Sequence, residues 1–237
     1  MRASLIELEP IASELELLAR AASIAGRTIG ELCLDRGEVC PVDQRRHKGF
    51  VGNLIERVLG ATAPASAAGP DFDRLGIELK TIPMSRARAA TKSAAVDWVP
   101  RESTFVCTAN LGAMVEASWE QSPVRRKLAR VLWLPIEAEP DVALSNRRVG
   151  RAVLWSPSPE QDALLAADWD ELAARIAGGE VESITAHVGR WLQLRPKAAH
   201  SRVLGRARDE RGALLRARPR GFYLRRESTA AIMRCAL

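Results

Sequence analysis

The sequence has few of the residues that build metal centres and disulfide frameworks. It contains four cysteines and three histidines among 237 residues. The cysteines show neither C-x-x-C pairing nor the spacing of metal ligands, so we interpret them as reduced thiols and predict no zinc site. No apolar run reaches 18 residues, and the first twenty residues are amphipathic and acidic. We therefore expect a soluble, intracellular protein without a membrane partner.

Several enzyme signatures are also missing. The sequence contains no G-x-x-x-x-G-K-[ST] phosphate loop, no G-x-S-x-G nucleophile turn and no H-E-x-x-H zinc helix. A P-loop NTPase, an α/β-hydrolase or a zincin metalloprotease therefore finds no support in the sequence. Any chemistry has to be sought among the acidic and basic side chains.

Lysine is scarce although the chain is basic. Only five of the 35 basic residues are lysines, and residues 189–237 carry 13 basic and 3 acidic side chains, a net charge of +10. Residues 1–188 carry 22 basic and 26 acidic side chains, a net charge of −4. A basic third indicates a polyanionic partner such as nucleic acid, and an ordinary solvated basic surface is the alternative. A lysine in so arginine-rich a chain hints at a place that requires a compact ammonium.

The hydrophobic pattern predicts a mixture of helices and strands. Their irregular order favours an α/β protein of the α+β kind, a mixed sheet flanked by helices, over a doubly wound fold. The stretch 84–103 has no period and is predicted to be an exposed loop. Helices are predicted within 10–23, 28–37, 48–60, 122–130, 156–179 and 228–237, and strands within 75–83, 103–110, 130–137, 190–197 and 220–226.

The string "DFDRLGIELK" (71–80) carries the strongest chemical signal. In a strand, residues two apart share a face, so Glu78 and Lys80 project together while Leu79 faces the core. Asp71 can fold back beside Glu78, and Glu56, on the polar face of the preceding helix, could add a third carboxylate. Converging carboxylates suit Mg²⁺, which keeps waters and accepts phosphate oxygens. The pattern therefore indicates phosphodiester hydrolysis.

Two alternatives remain open at this point. The pair Glu78 and Lys80 could be no more than an ion pair on an exposed strand face, since relaxed D…E-x-K patterns occur in many unrelated chains. Asp73 could replace Asp71 as the metal ligand.

Seven strings along the chain occur in the order and spacing of one known family: KGFVGNLIERVLGA, DFDRLGIELKTIP, TFVC, VRRKLARVLWLPIE, RRVGRAVLWSP, LQLRPKAA and PRGFYLRR. From about residue 16 to its end, the chain resembles the MutH family of DNA mismatch repair endonucleases. The spacing to Glu78 then favours Asp71 over Asp73. One departure is that 84–103 is longer than its family counterpart and richer in Ala and Arg, so its role stays open.

The resemblance implies a fold and an activity. It implies a single restriction-endonuclease-like domain, 1–237, with two arms, about 1–115 and about 116–237, around a DNA-binding cleft. It also implies Mg²⁺-dependent nicking of the unmethylated strand at hemimethylated or unmethylated GATC in double-stranded DNA. MutL, activated through MutS, stimulates this reaction in the family. We further expect a cytoplasmic monomer.

The resemblance also assigns roles by position. Four positions would form the catalytic centre: Glu56, Asp71, Glu78 and Lys80, with Asp71 and Glu78 as the metal ligands. Six positions would contact DNA: Lys48, Phe105, Lys127, Arg195, Lys197 and Tyr223. Four of the five lysines thus fall on functional positions of the family. The alternatives are a GATC-specific type II restriction endonuclease and a non-catalytic DNA-binding module that reads the methylation state.

Overall fold

The computed structural model describes residues 11–42, 47, 49–61, 69–87, 97–197, 205–208, 214–217 and 219–234. For 205–208 and 214–217 it describes the path of the backbone alone. Capping boxes start two helices, at Thr28 and at Ser158, in which the side-chain oxygens of Glu31 and Gln161 accept a hydrogen bond from the backbone N–H of the cap residue. The α-helices in the described residues are α1 (Glu14–Ile24), α2 (Ile29–Asp35), α3 (Phe50–Leu59), α4 (Leu111–Glu116), α5 (Pro123–Leu128), α6 (Pro159–Ala177) and α7 (Arg226–Arg234).

The strands of the described chain form two sheets and a separate hairpin. The four-stranded sheet has the order β2-β1-β4-β5, the three-stranded sheet the order β3-β9-β6, and β7 pairs with β8. The strands are β1 (Glu78–Arg86), β2 (Trp98–Pro100), β3 (Thr104–Thr108), β4 (Val131–Glu137), β5 (Val153–Trp155), β6 (Leu192–Pro196), β7 (Gly205–Arg208), β8 (Leu214–Ala217) and β9 (Arg220–Leu224).

The first of two compact units combines the described residues of 1–101 and 130–155. In its sheet β1 runs parallel to β4, while the β1–β2 and β4–β5 pairs are antiparallel. Helix α3 packs against β1, and α1 and α2 pack against α3. Apolar residues of these helices form one core with Leu79 of β1 and Leu132 of β4. A mixed sheet flanked by helices confirms the predicted α/β fold class.

The second compact unit combines the described residues of 102–129 and 156–234. Its sheet is antiparallel throughout. Helix α6 packs against β6, and α5 packs against β3. The Trp169 ring of α6 lies 5.3 Å from the Phe222 ring of β9, centroid to centroid. The predicted arms, about 1–115 and about 116–237, stay a prediction, because the compactness of a unit does not identify an arm that holds DNA.

No helix in the part of the chain that the structure describes is long and apolar enough to cross a membrane. Three described cysteines, Cys33, Cys40 and Cys107, form no disulfide bond, whereas Cys235 lies outside the described residues. Burial raises the pKa of the Cys33 thiol to about 12, and the neighbouring Cys40 adds to this rise.

The prediction of a loop over 84–103 was wrong for 84–86 and 98–100, which belong to strands, and β1 does not end at Pro83. The strand continues through Pro83 to Arg86, and β2 pairs with its last part in antiparallel fashion. Pro83 lies inside the β1–β4 ladder, opposite Ile136, and just beyond the last β1–β2 pair, Met84 with Pro100. The N–H and carbonyl of one strand residue point to the same side, and the Pro83 carbonyl points toward Arg101 rather than β4, so the missing N–H costs the β1–β4 ladder no bond. This carbonyl accepts a hydrogen bond from the Arg101 N–H at 2.9 Å. Residues 88–96 lie outside the described residues.

Short elements were missed from the sequence. Helix α4 has six residues, β5 has three, and β7 and β8 have four each. Such segments are too short for a hydrophobic period to show. The short strands are recognised only by the strands with which they pair, as β5 is by its pairing with β4.

A buried carboxylate joins α6 to the start of β6. Asp168 is 3% exposed, and its oxygens accept hydrogen bonds from the backbone N–H groups of Arg190, Trp191 and Leu192 at 2.7, 2.6 and 2.8 Å. The turn requires glycine at 189, where φ is +80° and a Cβ would lie 2.0 Å from the Leu192 oxygen. Hydrogen bonds to a charged acceptor are strong, so Asp168 determines where β6 begins.

Replacing Asp168 with Ala should lower the free energy of unfolding by about 3 kcal/mol, because three buried N–H groups lose their acceptor. Asp170→Ala is the matched control: Asp170 is exposed on the same helix, and its loss should cost less than about 0.5 kcal/mol. Urea unfolding followed by tryptophan fluorescence measures both. A cost below about 1 kcal/mol for Asp168→Ala would mean that water replaces the carboxylate.

Candidate functional site

A tight turn brings Asp71 back to the start of β1. The Phe72 N–H donates to the Ile77 carbonyl at 2.9 Å, and the Ile77 N–H donates to the Phe72 carbonyl at 3.3 Å. Gly76 has φ +67°, a left-handed conformation that glycine adopts without strain. The turn therefore reverses the chain immediately before Glu78.

The reversal places the Asp71 carboxylate against the backbone of β1. Its Oδ2 accepts a hydrogen bond from the Leu79 N–H at 2.7 Å. Asp73 is exposed and begins a short 3-10 turn instead. Of the two aspartates that the sequence offered, Asp71 is the one at β1, although its role as a metal ligand stays a prediction.

Glu78 and Lys80 form an ion pair on β1. The Lys80 Nζ lies 2.6 Å from the Glu78 Oε1, and the two side chains are 16% and 4% exposed. Leu79 between them belongs to the apolar core, as alternation along a strand requires. A carboxylate so deeply buried requires a charged or hydrogen-bonding partner, and the ammonium of Lys80 provides one.

Glu56 of α3 belongs to the same electrostatic cluster. Burial raises the pKa of Glu56, and the negative charges of Asp71 and then of Glu78 raise it further. The positive charges of Arg57 and Lys80 act in the opposite direction. Carboxylates whose charges raise the pKa of Glu56 are close enough to repel it, and a cation would relieve that repulsion.

This cluster fits a divalent cation that keeps part of its water shell. Among the described residues, no three His, Cys, Asp or Glu side chains are arranged to hold an ion by themselves. Mg²⁺ does not require such a set, because it binds through one or two carboxylates together with waters and substrate phosphate oxygens. Asp71 and Glu78 supply two carboxylates, so the residues present fit Mg²⁺.

In the second unit, four of the predicted DNA-binding residues lie together on the β3-β9-β6 sheet. We call them the aromatic-basic face: Phe105, Arg195, Lys197 and Tyr223. The Phe105 and Tyr223 rings meet edge to face with centroids 5.3 Å apart. The Arg195 guanidinium carbon lies 5.6 Å from the Tyr223 ring centroid, and the Lys197 Nζ lies 4.5 Å from the Phe105 centroid. Each cation therefore rests against one aromatic ring.

The phenol of Tyr223 stays protonated at neutral pH. Burial raises the pKa of Tyr223, and the charge of Glu102 raises it further, whereas Arg195 acts in the opposite direction. A neutral phenol can donate as well as accept a hydrogen bond.

Of the two remaining predicted site residues, the structure describes one. Lys127 is half-buried on α5, in the second unit. Lys48 lies outside the described residues. The structure thus brings together Glu56, Asp71, Glu78 and Lys80 in the first unit and the aromatic-basic face in the second.

Sequence reasoning missed residues that shape the aromatic-basic face. A Cβ on Gly221 would lie 2.8 Å from a ring carbon of Phe105 and 3.3 Å from one of Tyr223. Gln193 is buried directly opposite Tyr223 in the β6–β9 ladder. Gly221 had a sequence signal, because glycine inside a strand marks a close approach. Gln193 had none, since its place depends on the register of the sheet.

The two sites define a class of protein. Carboxylates beside a lysine at the start of a strand are the groups that cleave a phosphodiester, and a basic sheet face with aromatic rings is suited to nucleic acid. A protein with both is a nuclease. Comparison with known proteins identifies the family.

A sequence model of a family described as "MutH: DNA mismatch repair enzyme MutH" matches residues 59–168. Three curated relatives, each named "DNA mismatch repair protein MutH", are similar over nearly the whole chain. The protein of Vibrio cholerae serotype O1 is 48% identical over 221 residues, 93% of this chain and 95% of the relative. The protein of Salmonella paratyphi C is 47% identical over 226 residues, which are 95% of this chain and 93% of the relative. The protein of Yersinia pestis is 47% identical over 224 residues, which are 94% of this chain and 93% of the relative.

The chain belongs to the MutH family of DNA mismatch repair endonucleases. Its mixed α/β fold is therefore restriction-endonuclease-like, and its activity is that of a DNA endonuclease. Both statements confirm what the resemblance in the sequence implied.

Glu78→Gln should lower the rate of DNA cleavage at least about 100-fold, because the amide keeps the shape of the side chain but removes its charge. DNA binding should persist. The matched control is Glu137→Gln, at the far end of the β1–β4 pairing, where cleavage should be retained. The measurement is the initial rate of cleavage of a plasmid with Mg²⁺, with binding measured separately. Retained cleavage by Glu78→Gln would remove Glu78 from the catalytic centre.

Proposed function

We propose that this protein is the Mg²⁺-dependent nickase of methyl-directed mismatch repair, which cuts the unmethylated strand at hemimethylated or unmethylated GATC. It works in the cytoplasm as a monomer on double-stranded DNA. MutL stimulates it directly, and MutS acts through MutL. The observation that carries the proposal is the cluster at β1, where the carboxylates of Asp71 and Glu78 and the ammonium of Lys80 are held by one strand.

The proposed chemistry divides among the residues of this cluster. Asp71 and Glu78 hold the Mg²⁺ ion, and Glu56 adds negative charge at the same place. When bound, the ion polarises the scissile phosphate. Lys80 orients the attacking water or stabilises the negative charge that develops on the phosphate. Its ammonium already lies within the cluster, 2.6 Å from Glu78, so it requires no long movement to act there.

The aromatic-basic face is the proposed reader of the DNA sequence. Arg195 and Lys197 carry donors that match the O6 and N7 acceptors of guanine in the major groove. Tyr223 approaches the N6 edge of adenine, where a methyl group removes one donor hydrogen and adds bulk. Phe105 packs at the DNA interface. Lys48 and Lys127 contact the DNA backbone, which adds affinity without adding sequence preference.

The test uses a supercoiled plasmid with a single GATC site, prepared unmethylated, hemimethylated and fully methylated. A matched plasmid without the site is the control. Each is incubated with the protein with Mg²⁺ or with EDTA, and with or without MutL, and the products are separated on a gel. We expect open circles from the first two substrates alone, only with Mg²⁺, and more of them with MutL.

Other outcomes would replace the proposal with one of its alternatives. Linear product without MutL would indicate a GATC-specific restriction endonuclease that cuts both strands. Binding to GATC without cleavage would indicate a reader of the methylation state. Equal nicking of the plasmid without the site would contradict GATC specificity itself.

Tyr223→Phe should reduce the ratio of cleavage on the unmethylated strand to cleavage on the methylated strand by roughly ten-fold. The phenol is the group proposed to meet the adenine edge, and one good base contact is worth about 1–3 kcal/mol of discrimination. The affinity for DNA without GATC should not change, because phenylalanine keeps the ring against Phe105. Strand-specific end labels on a hemimethylated duplex measure the ratio. An unchanged ratio would mean that Tyr223 serves packing alone.

A further inference from the structure

An irregularity in β3 changes which side chains lie on the aromatic-basic face. In the β3–β9 ladder Phe105 pairs with Tyr223 and Thr108 pairs with Gly221, yet between these pairs β3 has two residues where β9 has one. The extra residue makes a β-bulge. Phe105 and Thr108 are three residues apart, so regular alternation would send their side chains to opposite faces. The bulge brings Thr108 to the same face as Phe105.

Thr108 contacts Lys197, the residue that follows β6 at the opposite edge of the sheet. The Lys197 Nζ donates a hydrogen bond to the Thr108 Oγ1 at 2.7 Å, while the same Nζ lies 4.5 Å from the Phe105 ring centroid. Lys197 itself is exposed. Its ammonium is thus held at two points, a hydroxyl and a ring, although nothing buries the side chain.

The space for this arrangement comes from Gly221, which lies between the two outer strands. It pairs with Thr108 on one side and with Arg195 on the other. A Cβ at this position would lie 2.8 Å from a ring carbon of Phe105, which would displace the ring from the ammonium. The bulge and the glycine therefore act together. The bulge places the Thr108 hydroxyl on this face, and Gly221 leaves room for the Phe105 ring.

We infer that Thr108 is a positioning residue for GATC recognition, which fixes the ammonium of Lys197 before DNA arrives. A free lysine side chain loses much of its rotamer entropy when it is immobilised, and a side chain that is already held loses less on binding. The hydroxyl carries no charge and so does not oppose the approach of a phosphate or a base edge. The inference rests on the proposed function in one respect, namely that Lys197 contacts DNA.

A double-mutant cycle tests the inference. Thr108→Val removes the hydroxyl and keeps the shape of the side chain, Thr108→Ser keeps the hydroxyl, and Lys197→Met removes the ammonium and keeps the stem. Affinity for a hemimethylated GATC duplex is measured for each variant and for Thr108→Val combined with Lys197→Met. We expect Thr108→Val to weaken binding about three- to ten-fold, Thr108→Ser to restore it, and Thr108→Val to have no effect in the Lys197→Met background.

A second measurement uses the protein without DNA. The chain has five lysines, so its ammonium resonances are few enough to assign in a ¹H–¹⁵N correlation spectrum. The Lys197 resonance should be protected from exchange in the wild type and in Thr108→Ser, and it should broaden or vanish in Thr108→Val. An identical resonance in the wild type and in Thr108→Val would overturn the inference.

The two measurements separate failure of the inference from failure of the proposed function. If Lys197→Met leaves the affinity for GATC unchanged, the assignment of Lys197 to DNA contact is wrong, whatever Thr108 does. If Lys197→Met weakens binding but Thr108→Val weakens it equally in both backgrounds, Thr108 does not act through Lys197 and the inference fails.

Discussion

Successive residues of strand β1 face opposite surroundings, and the cluster of Glu56, Asp71, Glu78 and Lys80 depends on this. Leu79 is part of the apolar core that β1 shares with the helices of the first unit, whereas Glu78 and Lys80 carry opposite charges on either side of it. The core fixes the position of the strand, because a shift of one residue would place the charges inside it and the leucine among the carboxylates. The packing of Leu79 thereby fixes the positions of the Glu78 carboxylate and the Lys80 ammonium.

Two buried carboxylates of this protein illustrate how the surroundings of a group decide its use. Asp168 accepts three backbone N–H groups at once, so its oxygens are engaged in fixing a turn. Glu78 is as deeply buried, but it accepts a hydrogen bond from the ammonium of Lys80, a flexible side chain, and it lies close to further acidic side chains. A carboxylate balanced by a side chain can exchange that partner for an ion. A carboxylate bound to three backbone N–H groups could do so only by breaking the turn that those groups form.

The aromatic-basic face shows a similar division between support and function. Apolar residues on the other side of its sheet, such as Phe222, pack against Trp169 of α6, and Asp168 of the same helix fixes the start of β6. The rings and cations of the face are half-buried or exposed, yet each cation is placed against a ring. The helix and the sheet thus present these side chains in a defined arrangement, which would lower the entropy lost in the proposed contact with DNA.

Much of this protein follows from the sequence by itself. The alternation around Leu79, the excess of positive charge after residue 188 and the family strings are properties of the sequence, and no tertiary contact is needed to recognise them. Tertiary structure alone decided that β1 runs through Pro83, that Asp71 rather than Asp73 meets the Leu79 N–H, and that a bulge turns Thr108 toward Lys197. Each of these depends on the register between strands or on the closing of a turn, and register is set by residues distant in the sequence that no local period contains.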